Sequence, residues 1–230
     1  MTIRAKLYAA LAVTVAGLLV TAGVGIWGMS RLGDRFDEVQ RASEAQALAL
    51  QLKFDVTDFN GWQTAYGYDN GQSRPVFLRS VERFRANLAQ ARRELTAPEE
   101  QRILDEIESA FDDFMELDDQ AFAALQAGRT EEVKRLFLGP ELENFDRAAT
   151  AAQRLAAYEA ARVTAQDRAF KDARKDALRL LIAVSAIAAL LVVILLINEH
   201  KEGRSGLPQN HDVLQMHPAR CAHHSPSTMP

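Results

Sequence analysis

The chain has 230 residues, about 25.5 kDa, with 27 Lys and Arg against 31 Asp and Glu. A net charge of −4 with no clustered basic excess argues against a nucleic-acid binder. A single cysteine rules out an intrachain disulfide framework and a CxxC metal site.

In chain order, Arg4 and Lys6 precede the first uncharged run, Leu7–Met29. At 1.5 Å per residue it spans roughly 34 Å, enough for a hydrocarbon core of about 30 Å. The apolar core exceeds that of a secretory signal, Trp27 sits at its far edge, and no A-x-A cleavage site follows. These features predict an uncleaved anchor rather than a signal peptide. Gly17, Gly23, Gly25 and Gly28 are tolerated in such a helix, or let a second helix approach closely.

Residues 30–179 read as helix nearly throughout. Ser30–Tyr68 has no proline and carries Leu48, Leu52, Phe59, Trp62 and Tyr66 at helical spacing. Asp69-Asn70-Gly71 supplies a turn that tolerates positive φ. Pro75 suits the first turn of a second helix, where Phe77, Val81, Phe84, Leu88, Ala91 and Leu95 form a four-three seam. Thr96-Ala97-Pro98-Glu99 reads as a capping box for a third helix. That helix carries Ile103, Ile107, Ala110, Phe114, Leu117, Ala121 and Ala124, and stops at Gly128. Thr130 is placed as the cap of a short helix, Glu131–Leu138, which Gly139-Pro140 breaks. A long helix then runs from about Glu141 into the second uncharged run, Leu180–Ile197.

The reading is an all-α membrane protein: two transmembrane helices flanking an up-down-up-down four-helix bundle. Its parts are a cytoplasmic N-terminus (1–6), a span (7–29), the bundle (30–179), a second span (180–197) and a short tail (198–230). The N-terminal basic residues put both termini in the cytoplasm and the bundle outside. Lys171, Arg174, Lys175 and Arg179 precede the second span on the outer side, interleaved with Asp167, Asp172 and Asp176. Long segments translocate largely regardless of charge, so the assignment stands. The tail holds all five His, the sole Cys and four of seven Pro, with no heptad seam. That abrupt change predicts an altered reading frame or early stop, and Cys221, His223 and His224 there read as an adventitious metal trap at most.

Charge separates by helix: 73–95 has six Arg and two acids, and 97–127 has ten acids and only Arg102. The plain reading is attraction between neighbouring rims. The alternatives are an anion site at Arg79, Arg83 or Arg85, and a divalent cation on Asp112, Asp113, Glu116, Asp118 and Asp119, which lack calcium-loop spacing. No catalytic motif is present, no cofactor is implied, and all five His lie after the second span, so no enzymatic activity is expected.

The string Asp58-Phe59-Asn60-Gly61-Trp62-Gln63-Thr64-Ala65-Tyr66 lies at the far end of the first helix, Trp62 being about 48 Å along it from Ser30. Asp58, Trp62 and Tyr66 share a face. They form either a core aromatic layer or the wall of a ligand pocket. The expected membrane-distal ligand site joins Asp58, Trp62 and Tyr66 to Arg147 and Arg154 of the last helix, an arginine pair suited to a carboxylate. No metal site is assigned.

A basic N-terminus, a span, about 150 helical residues containing D-F-N-G-W-Q-T-A-Y-G-Y-D, and a second span resemble a bacterial methyl-accepting chemotaxis receptor with a four-helix-bundle sensor domain. The resemblance covers residues 1 to about 198. It implies a homodimer in the inner membrane that senses a small molecule outside and controls a histidine kinase inside. With no output region in the tail, the chemotaxis kinase and adaptor would be reached only through a full-length partner. The sensor half of a histidine kinase or diguanylate cyclase, and a membrane-anchored interaction protein, share the same architecture.

Overall fold

The computed structural model describes residues 3–205, and every regular element among them is helical. The tail reading, with Cys221, His223 and His224, falls mostly on 206–230, outside the described residues. Five helices follow one another: α1 (Ile3–Tyr68), α2 (Arg74–Glu94), α3 (Pro98–Gln126), α4 (Thr130–Phe137) and α5 (Pro140–Ser205). Contacts divide the chain into two compact units, Gly23–Leu181 and a second formed within Met1–Ala22 and Ile182–Pro230.

In the second unit the apolar stretches of α1 and α5 are each long and apolar enough to cross a membrane. Leu18, Leu19, Ile182, Leu190 and Leu196 are exposed there, as lipid-facing side chains would be. Between the helices the residues are small: a Cβ on Gly17 would lie 3.5 Å from that of Ala188. Gly23 and Gly25, within the larger unit, meet nothing within 4 Å. Of the anchor glycines, Gly17 and Gly28 are therefore at close approaches and these two are not.

The larger unit is built on four-three seams. All six expected residues of α2 and its C-cap, Phe77 to Leu95, are buried. On α1 the seam is Ala49, Leu52, Val56, Phe59, Gln63 and Tyr66, stepping by 3, 4, 3, 4 and 3. Trp62 is not on it: it is 38% exposed, and Gln63 takes the inward position. Helical phase decides this, since each residue turns the side chain about 100° and Phe59 plus four and seven reach Gln63 and Tyr66. On α3 the seam also takes Leu104, Phe111 and Asp118, while Leu117 is half-buried. On α5 the buried apolar residues are Ala148, Ala151, Ala152, Leu155 and Ala156. At the centre, the Phe59 ring lies 5.3, 5.5 and 5.1 Å from those of Phe84, Phe111 and Phe114.

Contacts between helices run in opposite order along the chain. Asp58 and Asp55 of α1 meet Arg83 and Asn87 of α2. Arg74 and Arg92 of α2 meet Asp118 and Asp105 of α3. Glu106 and Asp113 of α3 meet Arg154 and Arg147 of α5. Only part of the rim charge follows the expected α2–α3 attraction, because Arg83 turns to α1 and Arg85 lies over the Phe111 ring. The basic residues late in α5 are partly matched within the helix, as Lys171–Asp167, Lys175–Asp172 and Arg179–Asp176.

Helix ends follow local chemistry, with two corrections. The Gly71 N–H bonds to the Tyr66 carbonyl at 2.8 Å, with Asn70 at φ 53° and Gly71 at φ 88°, so the Asp-Asn-Gly turn closes α1 in the left-handed region. Asp69 then accepts from the Ser73 N–H and hydroxyl at the start of α2. The capping box is one residue later than Thr96 and Glu99: Ala97 is the N-cap, and its N–H donates to Glu100 at 2.8 Å. Pro98 at the first helical position fixes that start, which leaves Glu99 to pair with Arg102. Thr130 is the first residue of α4 and Arg129 its N-cap, because Gly128 at φ 72° ends α3 with the Arg129 N–H on the Ala124 carbonyl.

Phe59→Ala should destabilise the larger unit by about 3–5 kcal/mol, since its buried ring has three aromatic neighbours. Trp62→Ala should cost about 1 kcal/mol or less. Chemical denaturation of the two variants, followed by circular dichroism, checks the difference.

Candidate functional site

The polar groups that are hardest to explain as surface lie where the first turn of α5 meets α1, α2 and α3. Tyr66 is fully buried, and its hydroxyl donates to Asp118, itself fully buried. The Arg74 guanidinium donates to Asp118 at 2.9 Å and to Asp119 at 3.1 Å. Arg74 is also boxed by rings, its guanidinium carbon 3.8 Å from the Phe122 centroid, 5.2 Å from Tyr66 and 5.7 Å from Phe77. Beside it, the Gln63 amide donates to Glu141, which is 1% exposed. The second Glu141 carboxyl oxygen is buried without a hydrogen-bond partner. Gly67 makes this packing possible, because a Cβ there would collide with the Phe137 ring of α4.

Electrostatics follow burial. Desolvation first, then the facing Asp118, pushes the Glu141 carboxyl up to about 8. A helix N-terminus favours a carboxylate by about 0.3–1 kcal/mol, less than this burial costs, so the acid is held neutral at pH 7. Burial also raises Asp118, against the Tyr66 and Arg74 hydrogen bonds that favour its charged form. Burial and the Asp118 charge hold the Tyr66 phenol far above its ordinary range, so it remains a donor.

A second polar layer joins α3 to α5 near the start of α3. Arg162 donates to Glu100 and to Glu159, which are 1% and 0% exposed. Burial, then hydrogen bonding with Glu100, pushes Glu159 up to about 7.

The structure separates the residues expected to share one ligand site. Asp58 pairs with Arg83 at 2.5 Å, Trp62 is half-exposed on α1, and Tyr66 is committed to the core. Arg147 pairs with Asp113 at 3.1 Å and Arg154 with Glu106 at 2.7 Å. The acids of α3 are thus the partners of the α5 arginines. Arg147 and Arg154 do lie together in an open groove of about 700 Å³, with Glu106, Leu142, Glu143 and Asp146. Sequence reasoning missed Gln63, Arg74 and Glu141 and took Asp118 for a rim acid. The available signal was a polar residue on a seam position: Gln63 between Phe59 and Tyr66, and Asp118 between Phe114 and Ala121. Among the described residues, no cluster of three or more His, Cys, Asp or Glu side chains is arranged to hold a metal ion.

Residues 1–53 match the family model of the Tar ligand-binding domain homologue, TarH. The match supports a chemotaxis-receptor sensor domain. It runs along α1 from the apolar stretch to Lys53 and stops before the Asp58–Tyr66 string. No curated protein and no solved structure matches the chain.

Tyr66→Phe should cost about 1–3 kcal/mol by removing one hydrogen bond from buried Asp118. Asp118→Ala should cost more, about 3–5 kcal/mol, because it takes the buried one of Arg74's two carboxylate partners and leaves the phenol unpaired. Urea unfolding of both variants at neutral pH checks the order.

Proposed function

We propose that the chain is the sensing part of a two-span chemoreceptor in a bacterial inner membrane. Residues 30–179 form an extracytoplasmic up-down-up-down four-helix bundle that binds a small molecule. The observation that carries this reading is α1 itself. One unbroken helix holds both a stretch apolar enough to span a membrane and a core seam, and the TarH match covers the apolar stretch and the start of the seam, Ala49 and Leu52. The opposite order of contacts between neighbouring helices supports the up-down arrangement.

The receptor works as a homodimer. Besides its core seam, α1 has an outward stripe of Ala47, Leu50, Phe54, Gly61 and Tyr68, with Leu50 49%, Phe54 58% and Tyr68 89% exposed. These residues recur at steps of 3, 4, 7 and 7, the spacing of a helix-to-helix seam. Asp58 and Trp62 flank that stripe on the turn before Tyr66.

The ligand is a small carboxylate held by Arg147 and Arg154 in the α3–α5 groove. Their present partners are exposed acids, and such pairs contribute only about 0–1 kcal/mol each. A ligand carboxylate can therefore replace them at low cost and gain a two-arginine fork.

The full chain in lipid nanodiscs, screened against small mono- and dicarboxylates, tests this. A ligand at a hundred times its Kd adds about 2.7 kcal/mol and should raise Tm by several degrees. Arg147→Ala with Arg154→Ala should abolish that rise and leave the unliganded Tm almost unchanged. A panel that never shifts Tm, or a shift that survives the double substitution, would reject the site.

A further inference from the structure

Glu141 is, among the described residues, the carboxylate whose buried oxygen has no hydrogen-bond partner. It stands in the first turn of α5 and reaches across to Gln63 of α1, 78 residues away in sequence. We propose that Glu141 is a proton-operated latch that fastens the first turn of α5 to α1, so that the pH around the bundle sets how tightly these two helices are joined. The latch needs no small-molecule ligand, and Glu141 is not among the side chains lining the arginine groove, although its neighbours Leu142 and Glu143 are.

Its surroundings define the two states. From α1, Gln63 donates to it and the Tyr66 hydroxyl is already spent on Asp118. From α2, Arg74 is the near cation, and both its terminal nitrogens are taken by Asp118 and Asp119. From α3, Asp118 opposes a second negative charge. The charges of α4 pair among themselves, Lys134 with Glu131, and Arg129 and Arg135 with Glu132. On α5, Glu143 and Asp146 are exposed. An ionised Glu141 therefore has one amide donor, a facing carboxylate and no free cation. Neutral, it keeps the Gln63 bond and places no second charge beside Asp118.

Loss of the proton to water turns the contact from favourable to unfavourable, and the α5 turn moves outward to hydrate the charge. Folded Glu141 keeps a proton up to about pH 8, whereas the unfolded chain gives it up near 4.5. The folded state thus binds more protons in that window. Stability falls as pH rises through it and levels off above about 8.

Trp62 is the reporter, being next to Gln63 and part-exposed. With Trp27→Phe it is the sole tryptophan of the full chain. In nanodiscs titrated from about pH 6 to about pH 10, its emission should change with one midpoint near 8. Glu141→Gln, neutral and of the same shape, should remove the transition. Asp118→Asn, which deletes the opposing charge, should move the midpoint to lower pH. A flat titration in the Trp27→Phe parent, or the same midpoint in Glu141→Gln, overturns the latch. If Glu141→Gln does not fold, difference infrared spectroscopy decides on the parent and Asp118→Asn. A protonated-carboxyl band with its midpoint near pH 8, separate from that of Glu159 near 7, and moved to lower pH by Asp118→Asn, supports the latch. Absence of that band, or a midpoint indifferent to Asp118, overturns it.

Discussion

The larger unit depends on a division of volume: three helices bring rings to the centre and the fourth brings alanine. Phe59, Phe84, Phe111 and Phe114 fill the middle layer, and the Phe84 and Phe111 centroids are 4.5 Å apart. Interiors pack at crystal-like density, so a ring-rich layer closes only if the facing helix is slim. The Ala148, Ala151 and Ala152 stripe of α5 meets that need. A bulky residue there would overpack the core and push α5 outward, and with it the polar contacts that α5 makes at both ends of the layer.

Those polar contacts sit on seam positions. Gln63, Asp118, Glu141, Glu100 and Glu159 occupy steps where the four-three rhythm calls for an apolar side chain, and each is buried. Burying a charge costs several kcal/mol, which attraction recovers only when every lone pair is matched. Asp118 approaches that condition, with Tyr66 and Arg74 on its two oxygens. Glu141 does not, and neutralises instead. Glu100 and Glu159 share Arg162, and Glu159 is raised far enough to be partly protonated near neutral pH. One rule, burial against available donors, accounts for all three outcomes.

Much of the helix order was legible because the signals were local. Proline at 75, 98 and 140 marks three helix starts, Asn70 and Gly71 close α1, and the six-residue α2 seam needs nothing beyond spacing. What the sequence concealed were choices that neighbours make. Trp62 reads as core by type, but helical phase puts Gln63 inward, and only a donor-hungry Glu141 across the interface makes that tolerable. The Arg83 turn to Asp55 and Asp58, and the Arg74 box of rings, are likewise set by helices far away in sequence. Even the capping box slipped by one residue because the identity of Pro98 outweighed the Thr-x-x-Glu pattern.

Polar seam positions also settle register in a way the apolar ones cannot. Ala148 and Ala152 could slide by a turn against Phe111 or Phe114 with modest loss, because alanine offers no directional contact. Glu141 and Glu159 bracket that stripe, about 27 Å apart at 1.5 Å per residue; Glu141 accepts from Gln63 of α1, and Arg162, bonded to Glu159 on the same helix, donates to Glu100 of α3. Sliding α5 by one turn would strand Glu141 from Gln63 and Arg162 from Glu100 together. Each buried group left without its partner costs about 1–3 kcal/mol, more where charged, which outweighs what an alanine stripe could regain. The slim helix that allows the aromatic layer to close is thus the helix most in need of fixed ends, and Glu141 at one end and Arg162, held by Glu159, at the other supply them.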